Sequence, residues 1–177
     1  MRQVLFILGQ LNDADVEWLS SAGERRKIAA GVELIREGIA LDTIYLILDG
    51  QMSVWAGKVK LAAVGSGDIL GEMSLVDSSK TSASVRADTA SAVLAVPKAV
   101  LIDRLKADVG FSARFYKAIA LFLADRMRNT IRRMGYGKLE DEPEREDLDF
   151  DELDVEVLDN IHLAGARFER ILKKLAG

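Results

Sequence analysis

From Lys27 to about Pro97 the chain runs in short stretches of alternating apolar and polar residues broken by glycine. Beyond Pro97 the spacing of apolar residues changes to threes and fours. The short stretches are Glu33 to Arg36, Thr43 to Leu48, Gln51 to Trp55, Val59 to Val64, Ala83 to Ala87 and Ala92 to Val96. Many short strands at regular spacing predict a closed or two-layered antiparallel barrel. Asp49-Gly50 predicts a two-residue hairpin, because glycine accepts the positive φ of a tight turn, and Gly57-Lys58 predicts a second. Upstream, Asp13 to Leu19 reads as the start of a short helix capped by Asn12 or Asp13, with acids at the positive end of its dipole.

The period of three and four first marks a short helix from Lys98 to Lys106, with Val100, Leu101 and Leu105 on one face. A longer helix follows from Phe111 to Met134, carrying Phe111, Phe115, Ala118, Ile119, Phe122, Leu123, Met127, Ile131 and Met134 on its apolar side. Such a helix is roughly 36 Å long at ~1.5 Å per residue, more than a small barrel needs for cover. Its apolar seam is therefore a candidate homodimer interface; the alternative is that the whole stripe packs on the barrel. Leu153 to Leu175 reads as a final amphipathic helix, with Val157, Leu158, Ile161, Phe168, Ile171, Leu172 and Leu175 on one side.

Charge divides the chain. Residues 1–137 hold 18 basic and 15 acidic residues, 138–156 hold two basic and 11 acidic, and the last 21 carry a balance of +2. Self-repulsion and few apolar residues make 138–152 a solvated acidic linker between a main body (1–137) and a C-terminal helix (153–177). The long helix carries six basic residues, Arg114, Lys117, Arg126, Arg128, Arg132 and Arg133, against one acid, Asp125. The acidic run could lie along it as a clasp for the last helix.

The 177 residues include no cysteine and one histidine, His162, which removes thiolate chemistry, Cys-ligated metals and histidine relays. No run nears the ~18 apolar residues of a membrane span, and Met1 to Leu11 does not read as a signal peptide, so a soluble, cytoplasmic protein is expected. Neither a nucleophile–base pair nor a metal cluster emerges, and no catalytic or metal-binding residue is assigned.

The stretch richest in chemistry is Gly67-Asp68-Ile69-Leu70-Gly71-Glu72-Met73-Ser74-Leu75. Gly67 closes a turn, Ile69-Leu70 is a brief strand, and Gly71 to Leu75 predicts one helical turn whose amides and Glu72 carboxylate suit a sugar-phosphate. Thr81 to Ala87 follows as a strand that brings hydroxyls to the same place. Together with Ile35-Arg36-Glu37-Gly38, Tyr45 to Gly50 and the two following helices, this order resembles the cyclic nucleotide-binding domain family over about residues 5–135. That family includes catabolite-activator-type regulators and the regulatory subunits of cAMP-dependent kinase.

The resemblance implies a mainly β fold, a β-roll (antiparallel barrel or jelly roll) with flanking helices and a long C-terminal helix. It implies a non-catalytic sensor module with cAMP or cGMP as ligand and no required cofactor, signalling through the long helix to a protein partner. Gly71 and the amides of Glu72 and Met73 would face the cyclic phosphate, and the Glu72 carboxylate would hold the ribose 2′-hydroxyl. Ser82 would donate to the phosphate or base, and Val54, Leu61 and Ile69 would wall the pocket. Where ligand-binding members carry a phosphate-gripping arginine, this chain has Thr81. A missing buried charge partner costs ~2–5 kcal/mol, a factor of tens to thousands in affinity. Arg126 or Arg128 on the long helix are the cations that could reach in. The alternative is a ligand-free dimerisation scaffold. A DNA-binding role is not expected, because the place of a helix-turn-helix domain holds the acidic segment and a single helix.

Overall fold

The last strand shows how the layers are arranged. The computed structural model describes residues 7–77, 79–133 and 155–176. In it β8 (Ser91–Pro97) is buried on both faces along nearly its whole length. Val93 and Ala95 point into a cluster between two sheets; Ala92, Leu94 and Val96 point the other way, into a cluster shared with the helices. A strand covered on both sides must be apolar throughout, and Ala-Val-Leu-Ala-Val is.

The two sheets each have four antiparallel strands. One has the order β1 (Glu24–Ile28), β8, β3 (Thr43–Asp49), β6 (Ile69–Leu70); the other has β2 (Glu33–Ile35), β7 (Ser84–Ala87), β4 (Gln51–Ala56), β5 (Val59–Gly65). They face each other across Ile35, Tyr45, Ile47, Met52, Val54, Val64, Leu70 and Val85. The result is the expected mainly β roll with flanking helices, jelly-roll-like and two-layered rather than closed.

Two strand expectations are corrected. Asp49-Gly50 is not a hairpin: β3 and β4 pair in different sheets, so the turn is a corner where the chain crosses between layers. Gly50 has φ +95°, and a Cβ there would lie 2.7 Å from the Cα of Ser91, so the corner requires glycine both for its conformation and for the close approach of β8. The Gly57-Lys58 hairpin does join β4 to β5, with Ala56 opposite Val59. The second correction is β1. Its Glu-Arg-Arg-Lys run has no apolar alternation to mark it, and it is held by its antiparallel ladder to β8. A charged edge of this kind also resists pairing with other chains.

The helices cover the outer face of the first sheet. α1 (Asp13–Ala22) starts at Asn12, whose side chain accepts from the Asp15 amide while Asp15 accepts from the Asn12 amide. α2 is the single turn Met73–Val76, α3 spans Lys98–Ala107, and α4 spans Val109–Arg133. Asp15, almost fully buried, takes both bonds of the Arg114 guanidinium from α4, at 2.7 and 2.9 Å. Burial alone would raise the Asp15 carboxyl, but Arg114 and the Asn12 amide together hold it below its usual value. α5 (Val155–Ala176) packs on α1 through Ala164 and Ile171 in the core, with Arg167 and Arg170 on Asp13 and Lys174 on Glu17. The last helix is thus anchored by its own basic residues. The acidic residues 140–154 of the expected clasp and linker lie outside the described residues.

The apolar positions of α4 divide into two groups. Phe111, Phe115, Ala118, Ile119 and Phe122 are buried in the chain's own core. Met127, 66% exposed, and Ile131 face solvent, and Met134 lies outside the described residues.

Candidate functional site

The turn between β6 and β7 is positioned by its backbone. The Ile47 amide donates to Asp68 O and the Gly67 amide to Ile47 O, which ties the start of the turn to β3. The Asp68 carboxylate accepts from the Gly65 amide at 2.7 Å. Gly71, with φ +86°, bends the chain into α2, and its face lies against Leu41, where a Cβ would come 2.3 Å from that side chain. The Ser74 hydroxyl then donates to Gly71 O at 2.7 Å, and the Lys98 ammonium of α3 donates to Ser74 O.

Glu72 is the charged group at the centre of this turn. It is 2% exposed, and its Oε1 accepts from Arg126 Nη1 of α4 at 2.9 Å. The guanidinium also stacks on Phe122, 5.6 Å from the ring centroid. Burial pushes the Glu72 carboxyl above its ordinary range, against the pull of Arg126 and of the residue's own backbone amide. Asp68 is likewise pushed up by burial, with the Gly65 amide opposing it. The Glu72–Arg126 pair therefore links the turn to the long helix, while Asp68 braces the start of the turn through the Gly65 amide.

Thr81 lies before β7, which starts at Ser84 rather than at Thr81. Its hydroxyl donates to Arg36 O at 2.5 Å and accepts from the Ile39 amide at 3.2 Å. Its backbone amide donates to Ile39 O, and its carbonyl accepts from the Gly38 amide. All four contacts staple the 36–39 loop to the segment before β7. Ser82 is exposed, and Met73 is 52% exposed.

The expected wall residues separate. Val54 packs in the cluster between the sheets, while Ile69 points into the helix-side cluster with Phe115 and Phe122. Leu61, 51% exposed, is the extra residue of a bulge, since Val54 pairs with Ala62 and Trp55 with Lys60. Gly71, Glu72 and Met73 are contiguous on the turn, Val54 lines the roll, and Thr81 faces the 36–39 loop.

The family model "Cyclic nucleotide-binding domain" matches residues 25–108, which hold both sheets but for one residue of β1 and include the whole turn. This segment belongs to the cyclic nucleotide-binding domain family. The fold of the domain is similar to a cyclic nucleotide-binding domain from Methylobacillus flagellatus, with TM-score 0.67, 24% identity, and coverage of 80% of this chain and 86% of that one. It is also similar to the regulatory domain of Toxoplasma gondii PKA, crystallised with cAMP, with TM-score 0.51, 24% identity, and coverage of 58% and 43%. In sequence, 129 residues are 29% identical to an uncharacterized NTE family protein of Mycobacterium tuberculosis, covering 72% of this chain. The chain spans 22% of the length of that relative.

Residue patterns named Arg126 as a cation that could reach in, but missed three features of the domain: its pairing with Glu72, the burial of Asp68 and the Thr81 staple. A signal existed for the first. Arg126 stands four residues after Phe122, in phase with the buried face of α4, so a charge was aimed inward and required a partner. Among the described residues no group of acidic or histidine side chains has the arrangement of a metal site, and no helix is long and apolar enough to cross a membrane.

Proposed function

We propose that this chain is a non-catalytic, cytoplasmic regulatory module. Its cup between Ile69 and Ala87 binds a small ribose-bearing ligand of the cyclic-mononucleotide class, with cAMP and cGMP as the first compounds to test. Occupancy passes through α4 to a protein partner. The observation that carries this reading is the buried Glu72 carboxylate joined to Arg126, because it makes the turn and the long helix one mechanical unit. A ligand that prefers one position of Glu72 then biases the position of α4, which is what a two-state sensor needs. The cAMP in the Toxoplasma regulatory domain supports the ligand class.

The output surface is a homodimer seam on the outer side of α4. Val109, Ala113, Tyr116, Ala120, Leu123 and Met127 follow one another by four, three, four, three and four residues, and all but the half-buried Leu123 are exposed. That is the 3.5-residue period of a helix-to-helix seam, on a face other than the one buried in the core.

Calorimetric titration and thermal shift with cAMP and cGMP test the reading. Heat, a rise in Tm, and altered hydrogen exchange over 109–133 are the expected results. No heat and no shift at millimolar ligand would leave the second reading, a dimerisation scaffold that has kept the fold and lost the ligand. One observation favours that second reading: the Thr81 hydroxyl and amide are both engaged in holding the 36–39 loop.

A further inference from the structure

We infer that the free edge of β5 is a docking site for an extended acidic peptide, which joins the second sheet there as a fifth strand. The inference is independent of what the turn between β6 and β7 binds.

An edge strand offers its backbone N–H and C=O groups to other chains unless the protein guards it. Among the described residues the two sheets end at β1 and β6, and at β2 and β5. The first three are guarded. β1 begins with the charged run Glu-Arg-Arg-Lys, β6 is two residues long, and β2 is three residues long with a register shift between Glu33 and Ile35. β5 differs from all of them. It runs for seven residues, Val-Lys-Leu-Ala-Ala-Val-Gly, and contains no proline. β4 takes one side of its backbone, and the sheet order stops there.

The side chains of β5 suit an added strand on both faces. Ala62 and Val64 pack in the cluster between the sheets, so alternate residues of a new strand would extend that cluster at its open rim. Val59 and Leu61 are 63% and 51% exposed, apolar surface that a neighbouring strand would cover. The bulge at Leu61 turns that side chain outward without ending the ladder, which resumes at Lys60 and Val59.

Charge decides between partners. From Gly50 to Gly67 the chain has no Asp or Glu, and its charged residues are Lys58 and Lys60. Lys58 is exposed at the hairpin tip; Lys60 lies 3.7 Å from Asp88 yet keeps 47% of its side chain in solvent. Like charges on adjoining strands destabilise a sheet, so β5 pairing with β5 of a second copy would bring the lysines of both together. A strand that alternates acidic and apolar residues meets no such repulsion. The same lysines therefore oppose self-pairing and favour an acidic peptide.

The test titrates the full chain with a capped synthetic peptide, Glu-Val-Glu-Val-Glu-Val, and with its lysine counterpart, while NMR follows amide exchange residue by residue. The acidic peptide should slow exchange at the β5 amides that face away from β4 by about tenfold, and leave β1 unchanged. The effect should weaken severalfold when NaCl rises to about 500 mM, and the lysine peptide should have none. Lys58→Glu, at an exposed tip, should weaken the acidic peptide about threefold. No protection of β5, or equal protection by both peptides, overturns the inference. So does protection that grows with the concentration of the chain alone, which assigns the edge to a second copy.

Discussion

Replacing Arg126 with Gln removes, among the described residues, the cation bonded to a carboxylate that is otherwise out of water, and the cost should depend on pH. Breaking a buried ion pair from one side costs ~3–5 kcal/mol, because the other charge is left buried. Arg126 is 31% exposed and solvent screens part of its attraction, so about 2–3 kcal/mol is expected at pH 8. Burial already raises the Glu72 carboxyl, so the folded chain holds that proton more readily than the unfolded chain does. The contribution of Glu72 to stability therefore falls as pH rises from its ordinary value of 4.5 through the raised one. Asp68 acts in the same direction.

Without Arg126 the Glu72 carboxyl is raised further and is protonated sooner on acidification. The cost of Arg126→Gln should then shrink by pH 5 toward that of a lost neutral hydrogen bond, about 1 kcal/mol. Glu72→Gln keeps an oxygen for Arg126 and removes the buried charge, so it should cost about 1 kcal/mol or less at pH 8. Urea unfolding of both variants and the double variant at pH 5, 6, 7 and 8 gives the cycle. An Arg126→Gln cost that is flat across this range would refute the argument, as would a Glu72→Gln cost equal to it at pH 8.

Three further outcomes are expected. Gly50→Ala should cost about 3 kcal/mol or more, from left-handed backbone plus overlap with Ser91, while Gly57→Ala, with φ +55° and nothing within 4 Å, should cost about 1 kcal/mol; Tm values compare them directly. Asn12→Ala removes one half of the capping box and should lower stability by ~1 kcal/mol, with faster amide exchange confined to the first turn of α1. Met127→Asp puts a charge in the proposed seam of α4, so light scattering should show a dimer for the parent chain and a monomer for the variant, with Tm little changed because the residue is outside the core.

How much of the fold could be read in advance depended on whether a strand's own side chains announce it. β3, β4 and β8 carry apolar runs that exist because the strands are largely buried, so sequence and burial report the same thing. β1 is exposed at an edge, and its position is set by the backbone of β8, which leaves no trace in residue type. Asp49-Gly50 shows a related limit. A glycine with positive φ satisfies a hairpin and a corner equally well, and the choice between them was made by pairings with β6, β7 and β8 distant in the chain. The apolar residues of α4 could be read as a seam or as a core stripe because more than one of its faces carries them; contact with the core shows that Phe111, Phe115, Ala118, Ile119 and Phe122 belong to the stripe.

In the candidate site the same distinction separates motif from partner. Gly71-Glu72 could be located from its neighbours in sequence, since the turn is local. What Glu72 does depends on a guanidinium 54 residues away, and no local pattern encodes that distance. Thr81 makes the point from the other side. Its residue type says that a charge is missing, yet a free hydroxyl could still have donated to a ligand; the bond to Arg36 O is what removes that option. The candidate site is therefore defined less by the residues it contains than by which of their protons and lone pairs the rest of the fold has already taken: Arg36 O holds the Thr81 proton, and Arg126 occupies Glu72 Oε1.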